Sequence, residues 1–217
     1  MSMIAKDTQG VSIPLLEGGV YYGICSAIID LGIQKNEMYN NESRKLMIQW
    51  TIVGQEVEIN GEKVARVMHK QYSFSLNQKS TLRKDLEAWR GKEFTEEELN
   101  GFDLNNILNI PCQLQIIEKE RVGKNNVNTI GGIMSIPKTA KVDKLPKDNL
   151  IVLDLEDAST FKNYTKIASW IQDTIKRAKN YQESGLMQYV DENVKTDEEL
   201  EDEVEFITVE ETDDLPF

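Results

Sequence analysis

A mainly β chain with added helices is predicted by three observations: five segments of alternating or β-branched character, a switch to helical period between the third and fourth, and a dense acidic run after the last helix. The first strand is expected over 18–33, a β-branched and aromatic stretch bounded by glycines, with Gly23 as a bend. A polar, Asn-rich loop (34–43) leads to the second strand, 45–53. There Leu46, Ile48, Trp50 and Ile52 alternate with Met47, Gln49 and Thr51, and the first set is read as inward. Asn60-Gly61 is a hairpin signal between 57–59 and a third strand at 63–74.

Leu82, Leu86 and Trp89 then recur at helical spacing, Ser80 can cap the start and Gly91 the end, so a short helix is expected over 80–90. Thr95 and Glu98 form a capping box, with Phe94 placed to staple against Leu99. Residues 111–118 alternate Cys112, Leu114 and Ile116 against Gln113 and Gln115, and a fifth strand is expected over about 126–136. Three strands, a helix and two strands is the order of the five-stranded OB-fold Greek-key barrel, whose helix lies between strands three and four and plugs one end. The predicted domains are therefore an OB-type barrel over 1–137, a linker over 138–158 carrying Pro146, an amphipathic helix over 159–185, and a flexible acidic tail over 190–217. The helix places Phe161, Tyr164, Ala168, Ile171, Ile175 and Ala178 on one apolar stripe. That stripe needs the barrel or a second copy as its cover, and the sequence leaves both open.

Charge is divided unevenly. From Val190 onward thirteen acids face one base, Lys195, for a net of −12, which equals the net charge of the whole chain and leaves residues 1–189 neutral. Such a block repels itself and lacks apolar surface to offset ordering, as in solvated interaction tails. No apolar run approaches the roughly 18 residues of a membrane span, and the N-terminal MSMIAKDTQG lacks a signal-peptide core, so a cytoplasmic location is expected. Cys25 and Cys112 fall in strands and read as core residues. His69, the one histidine, reads as an ordinary structural residue. The chain shows no zinc-type Cys/His cluster, phosphate loop or acid constellation in its body, and neither a catalytic nor a cofactor or metal role is expected.

Single-strand binding needs cations along a backbone path and aromatic faces for unpaired bases. On an OB barrel these gather on strands two and three and on the loops joining strands one to two and four to five. The candidates are Lys35, Tyr39, Arg44 and Lys45 around the first loop and Lys119, Arg121 and Lys124 around the other. Arg66, Lys70, Tyr72 and Phe74 occupy alternate positions of the third strand. Tyr39 and Tyr72 are the expected stacking residues, whereas Trp50 belongs to the inward set.

Two resemblances bear on this reading. The stretch Tyr72-x-x-Ser75-Leu76-x-x-Lys79-Ser80-x-Leu82-Arg83-x-Asp85-Leu86-x-x-Trp89-Arg90-Gly91-x-x-Phe94-Thr95, with Ile28-Ile29-Asp30-Leu31-Gly32 upstream, resembles a family of small proteins from phage and prophage replication or recombination modules. The resemblance implies an OB-type single-stranded-DNA-binding protein acting in the bacterial host cell. The ending Asp213-Asp214-Leu215-Pro216-Phe217 resembles the C-terminal tip of bacterial and phage single-stranded-DNA-binding proteins. An apolar pocket with a basic rim on a partner could take the Phe217 ring, its carboxylate and the two aspartates. The implied partners are single-stranded DNA and, through the tip, a polymerase, helicase or recombinase. A homo-oligomer stays open. The rival expectation is an accessory interaction factor, a recombinase loader or DNA mimic, with weak DNA affinity, because the body carries no net positive charge.

Overall fold

The computed structural model describes residues 13–36, 40–59 and 61–194. Five antiparallel strands build a curled half-barrel: β1 (Gly19–Asn36), β2 (Asn41–Ile59), β3 (Glu62–Ser73), β4 (Pro111–Arg121) and β5 (Lys124–Met134). Their order is β3-β2-β1-β4-β5, and a short sixth strand, β6 (Ile151–Leu153), runs parallel to β1 at Ala27–Ile29. β1 is the shared spine: Gly19–Ile24 pairs with β4 and Gly23–Asn36 with β2. The five expected strands are all present, each within a few residues of its expected bounds except β2, which continues through the hairpin arm.

A bulge in β1 between Cys25 and Ala27 resets its alternation. Cys25 and Ile28 face the barrel interior with Leu46, Ile48, Trp50 and Ile52 of β2, while Ala27, Ile29 and Leu31 face outward. Trp50 is fully buried, as its register required. The interior is closed at one end by α1 (Thr81–Arg90), which inserts Leu82, Leu86 and Trp89; the Trp50 and Trp89 rings lie 5.9 Å apart, tilted by 54°. Ser80 accepts from the Arg83 amide and Gly91 ends the helix at φ 67°, so both expected caps form. The Thr95–Glu98 capping box opens α2 (Glu96–Asn100). Cys25 and Cys112 are free thiols in this core, and burial raises both pKa values, which keeps them protonated.

Two expectations for the C-terminal part change. The stretch 138–158 is not only a linker: its end forms β6, and Leu153 and Leu155 are each 1% exposed. The single helix expected over 159–185 is a 3-10 run (Ala158–Lys166), then α3 (Ser169–Lys176), a series of turns, and α4 (Leu186–Asn193). The chain breaks because Ile167 and Ala168 are extended (ψ 146° and 144°), which lets Phe161, Tyr164, Ile167, Ile171 and Ile175 all reach one curved surface. Gln172 Nε2 donates to the Tyr164 and Ile167 carbonyls, both at 3.0 Å, and so satisfies groups that the break frees. That surface is the outward side of Ala27, Ile29, Leu31 and Met47. The apolar stripe is thus covered by the barrel of its own chain. Among the described residues no helix is long and apolar enough to cross a membrane.

Candidate nucleic-acid interface

The residues singled out on β3 lie on the opposite face from the one expected. Cross-strand partners share a face, and Tyr72, Lys70 and Met68 pair with Leu46, Ile48 and Trp50, the inward set of β2. The cause is a bulge: between the pairs Thr51–Val67 and Glu56–Ala65, four residues of β2 oppose Arg66 alone, with Gly54 at φ 71°. The hairpin pair Ile59–Glu62 would, without the bulge, send Arg66, Lys70 and Tyr72 outward. An odd shift turns every side chain beyond it over.

Each of these residues has an internal partner. Tyr72 is 3% exposed and donates to Asp85 Oδ2 of α1 at 2.9 Å, so it is a core residue and not a stacking platform. Burial and the adjacent Asp85 carboxylate push its phenol far up, keeping it a donor. Lys70 Nζ meets the same oxygen at 2.7 Å. Arg66 is buried and donates to the Pro14 carbonyl. Phe74, at the end of β3, is 41% exposed, but the Arg44 guanidinium covers one face at 5.0 Å.

Around the β1–β2 turn, Arg44 is spent on three carboxylates: Asp30 (2.7 Å), Glu156 (2.7 Å) and Asp154 (3.3 Å). The hydrogen bond with Asp30 raises its pKa, against the cost of burial. Lys45 is half-buried and donates to Ser73 Oγ at 2.9 Å, and Lys35 is exposed. Tyr39 lies outside the described residues, as do Asn60 of the hairpin signal and the tip residues Asp213, Asp214, Leu215, Pro216 and Phe217. On the β4–β5 hairpin Lys119 and Arg121 are exposed, and Arg121 Nε donates to the Asn125 carbonyl at 3.1 Å. Lys124 begins β5 opposite Arg121, and its side chain is outside the described set. Pairing registers set the β1–β2 turn at the Asn36 end of β1 and the β4–β5 turn beyond its Gly19 end. The two basic loops therefore flank the spine strand from opposite ends.

An aromatic pair that the sequence pattern did not single out sits on the outward face of β3. The exposed His69 ring lies 4.9 Å from Trp170 of α3, tilted by 43°, and Trp170 is 46% exposed. The signal was present: Trp170 falls within the amphipathic segment but off its apolar stripe, where a tryptophan has no core to enter. Desolvation lowers the His69 pKa, which favours the neutral ring.

Two open clefts are found among the described residues. One, of about 510 Å³, lies at the plug end among Trp89, Phe102, Ile110, Pro111 and Ile136, with Arg90 and Lys92 on its rim. Arg90 is held by Glu98 and stacked on Phe94 and Phe102, at 4.3 and 4.9 Å, which assigns it a structural part. The second, about 190 Å³, is lined by Phe74, Phe102, Asp30 and Asp154 beside the Arg44 ion pairs. No protein-family model and no curated protein matches the chain.

Proposed function

We propose that the protein is a non-catalytic single-stranded-DNA-binding protein built on an OB-type barrel, with its acidic tail recruiting replication or recombination proteins. The observation that carries the reading is the strand order β3-β2-β1-β4-β5 with α1 inserted between β3 and β4 and plugging the curled sheet. That arrangement agrees with an OB barrel, on which single strands cross strands two and three between two loops. Lys35, Lys45, Lys119 and Arg121 supply cations on those loops, none of them ion-paired among the described residues. Binding of this kind prefers unpaired strands and depends steeply on salt. The test is a salt-dependent titration against oligo(dT) and a duplex of equal length. Tighter binding of oligo(dT), with a negative slope of log K against log salt, supports the reading; equal affinities at matched salt sink it.

One observation favours a second reading, an accessory interaction factor with weak DNA affinity. Arg44, Arg66 and Lys70 are all engaged within the fold, which thins the cation supply of a neutral body. In that case full-length and tail-deleted protein would both bind oligo(dT) only near non-specific strength, while partner capture through the tail would persist.

A further inference from the structure

We propose that Trp170 and His69 form a stacking platform for an unpaired nucleobase and that Arg177 holds the adjoining phosphate; this rests on the single-strand-binding reading above. Tyr72 is buried, so a strand crossing the sheet needs another aromatic surface on its outward side. The Trp170–His69 pair is such a surface. It joins β3 to the C-terminal unit, and neither ring is enclosed by the fold.

The surroundings suit an anionic strand. Residues 158–179 carry five cations (Lys162, Lys166, Lys176, Arg177 and Lys179) against one carboxylate, Asp173; Lys179 is paired with Glu42 at 2.7 Å, and the other four form no ion pair among the described residues. Arg177, the C-cap residue of α3, follows Trp170 by seven residues, about two helical turns, and its αR backbone keeps it near the same side of the helix, about 10 Å along the axis. Thr174 lies between them, its Oγ1 donating to the Trp170 carbonyl at 2.8 Å and within 3.5 Å of the Arg177 guanidinium. Arg177 forms no ion pair among the described residues and is exposed, so its charge is available to a phosphate. A base laid on the indole thus leaves its backbone running toward a free guanidinium. Duplex DNA cannot offer such a base without unpairing it.

Intrinsic fluorescence isolates the site, because the other two tryptophans, Trp50 and Trp89, are 0% and 4% exposed. Oligo(dT) should quench the emission of the full-length protein, and duplex of equal length should not. Trp170→Ala should abolish the quench and weaken oligo(dT) binding about tenfold to a hundredfold, and Trp170→Phe should restore most of the affinity. Arg177→Gln should flatten log K against log salt by about 0.7. Thermal unfolding of Trp170→Ala, expected to match wild type, checks that the loss is local. Binding of oligo(dT) with wild-type affinity by Trp170→Ala, and no quench of the wild type, would overturn the platform while leaving single-strand binding intact. Failure of the wild-type protein to bind oligo(dT) at low salt would overturn both.

Discussion

Tyr72 Oη donates to Asp85 Oδ2 at 2.9 Å, tying β3 to the plug helix inside the barrel end, and Lys70 Nζ reaches the same oxygen at 2.7 Å. One carboxylate, with 17% of its side chain exposed, therefore satisfies two donors that would otherwise be stranded beside the core. Tyr72→Phe should cost roughly 1–3 kcal/mol of stability, read from chemical denaturation, and leave oligo(dT) affinity unchanged. A variant that stays stable but loses affinity would return Tyr72 to the binding face.

The Arg44 ion pairs make an analogous distinction between holding the fold and holding a ligand. Asp30 has only 4% of its side chain exposed, and Arg44 Nε and Nη2 bond it at 3.1 and 2.7 Å. Arg44→Ala leaves that carboxylate buried without its counter-charge, a loss of about 3–5 kcal/mol. The salt slope of DNA binding should not change in any Arg44 variant that folds. Joint neutralisation of Lys35, Lys45, Lys119 and Arg121 should instead flatten it by about 0.7 for each phosphate left without its cation.

The elements were legible where one rule sufficed. Strand alternation, the Leu82–Leu86–Trp89 spacing and the two sets of caps all act within a few residues, and all appear as expected. The errors arise where a bulge shifts the register by an odd number of residues and so changes parity. The β2 bulge around Gly54 carries no mark in the sequence beyond a glycine, yet it decides which face holds Tyr72, and the β1 bulge near Ser26 decides which of residues 27–31 face the barrel interior and which face the C-terminal unit. That second case had a visible sign. The run Ala27-Ile28-Ile29-Asp30-Leu31 is apolar at all but one position, the pattern of a strand covered on both faces, and it called for the C-terminal unit as its cover.

Gly32 is a point of close approach between that cover and β1. Its φ is 71°, and a Cβ there would lie 2.6 Å from both Ala178 Cβ and Asn180 Oδ1. Asn180 Oδ1 accepts from the Ile33 amide at 2.8 Å and the Lys179 amide donates to the Ile33 carbonyl at 2.9 Å, so the approach is a paired one. Gly32→Ala adds about 1–2 kcal/mol of backbone strain to the clash and should loosen residues 150–194 from the sheet. Limited proteolysis should cut this segment faster than in wild type; unchanged protection would mean the contact yields without cost.

His69 gives a pH dependence of known sign. Desolvation lowers its folded pKa below the ordinary value of about 6.5, so the unfolded chain binds the proton more readily. The stability it contributes is whole above about pH 6.5 and is lost as pH falls through the folded value. A His69→Gln variant should therefore lose less stability than wild type between about pH 8 and pH 5. Parallel losses in the two proteins would show that His69 titrates normally beside Trp170.

The proposed tail functions separate only if the cut spares the fold. α4 runs to Asn193 with Leu186 fully buried, and Val194 packs on the same core, so truncation belongs after Val194. That removes eleven acids and Lys195, a net of −10. If the acidic run competes with DNA for cations, truncation should tighten oligo(dT) binding at low salt. The gain should fade toward about 0.15 M, where screening falls to roughly 8 Å. Removing Leu215, Pro216 and Phe217 alone leaves that charge in place, so DNA affinity should hold while capture of a partner from a cell lysate is lost. Both truncations remove the tip and should lose the captured partner, but only the longer one should tighten oligo(dT) binding. Identical sets of captured proteins with and without the last three residues would reduce the tail to its charge.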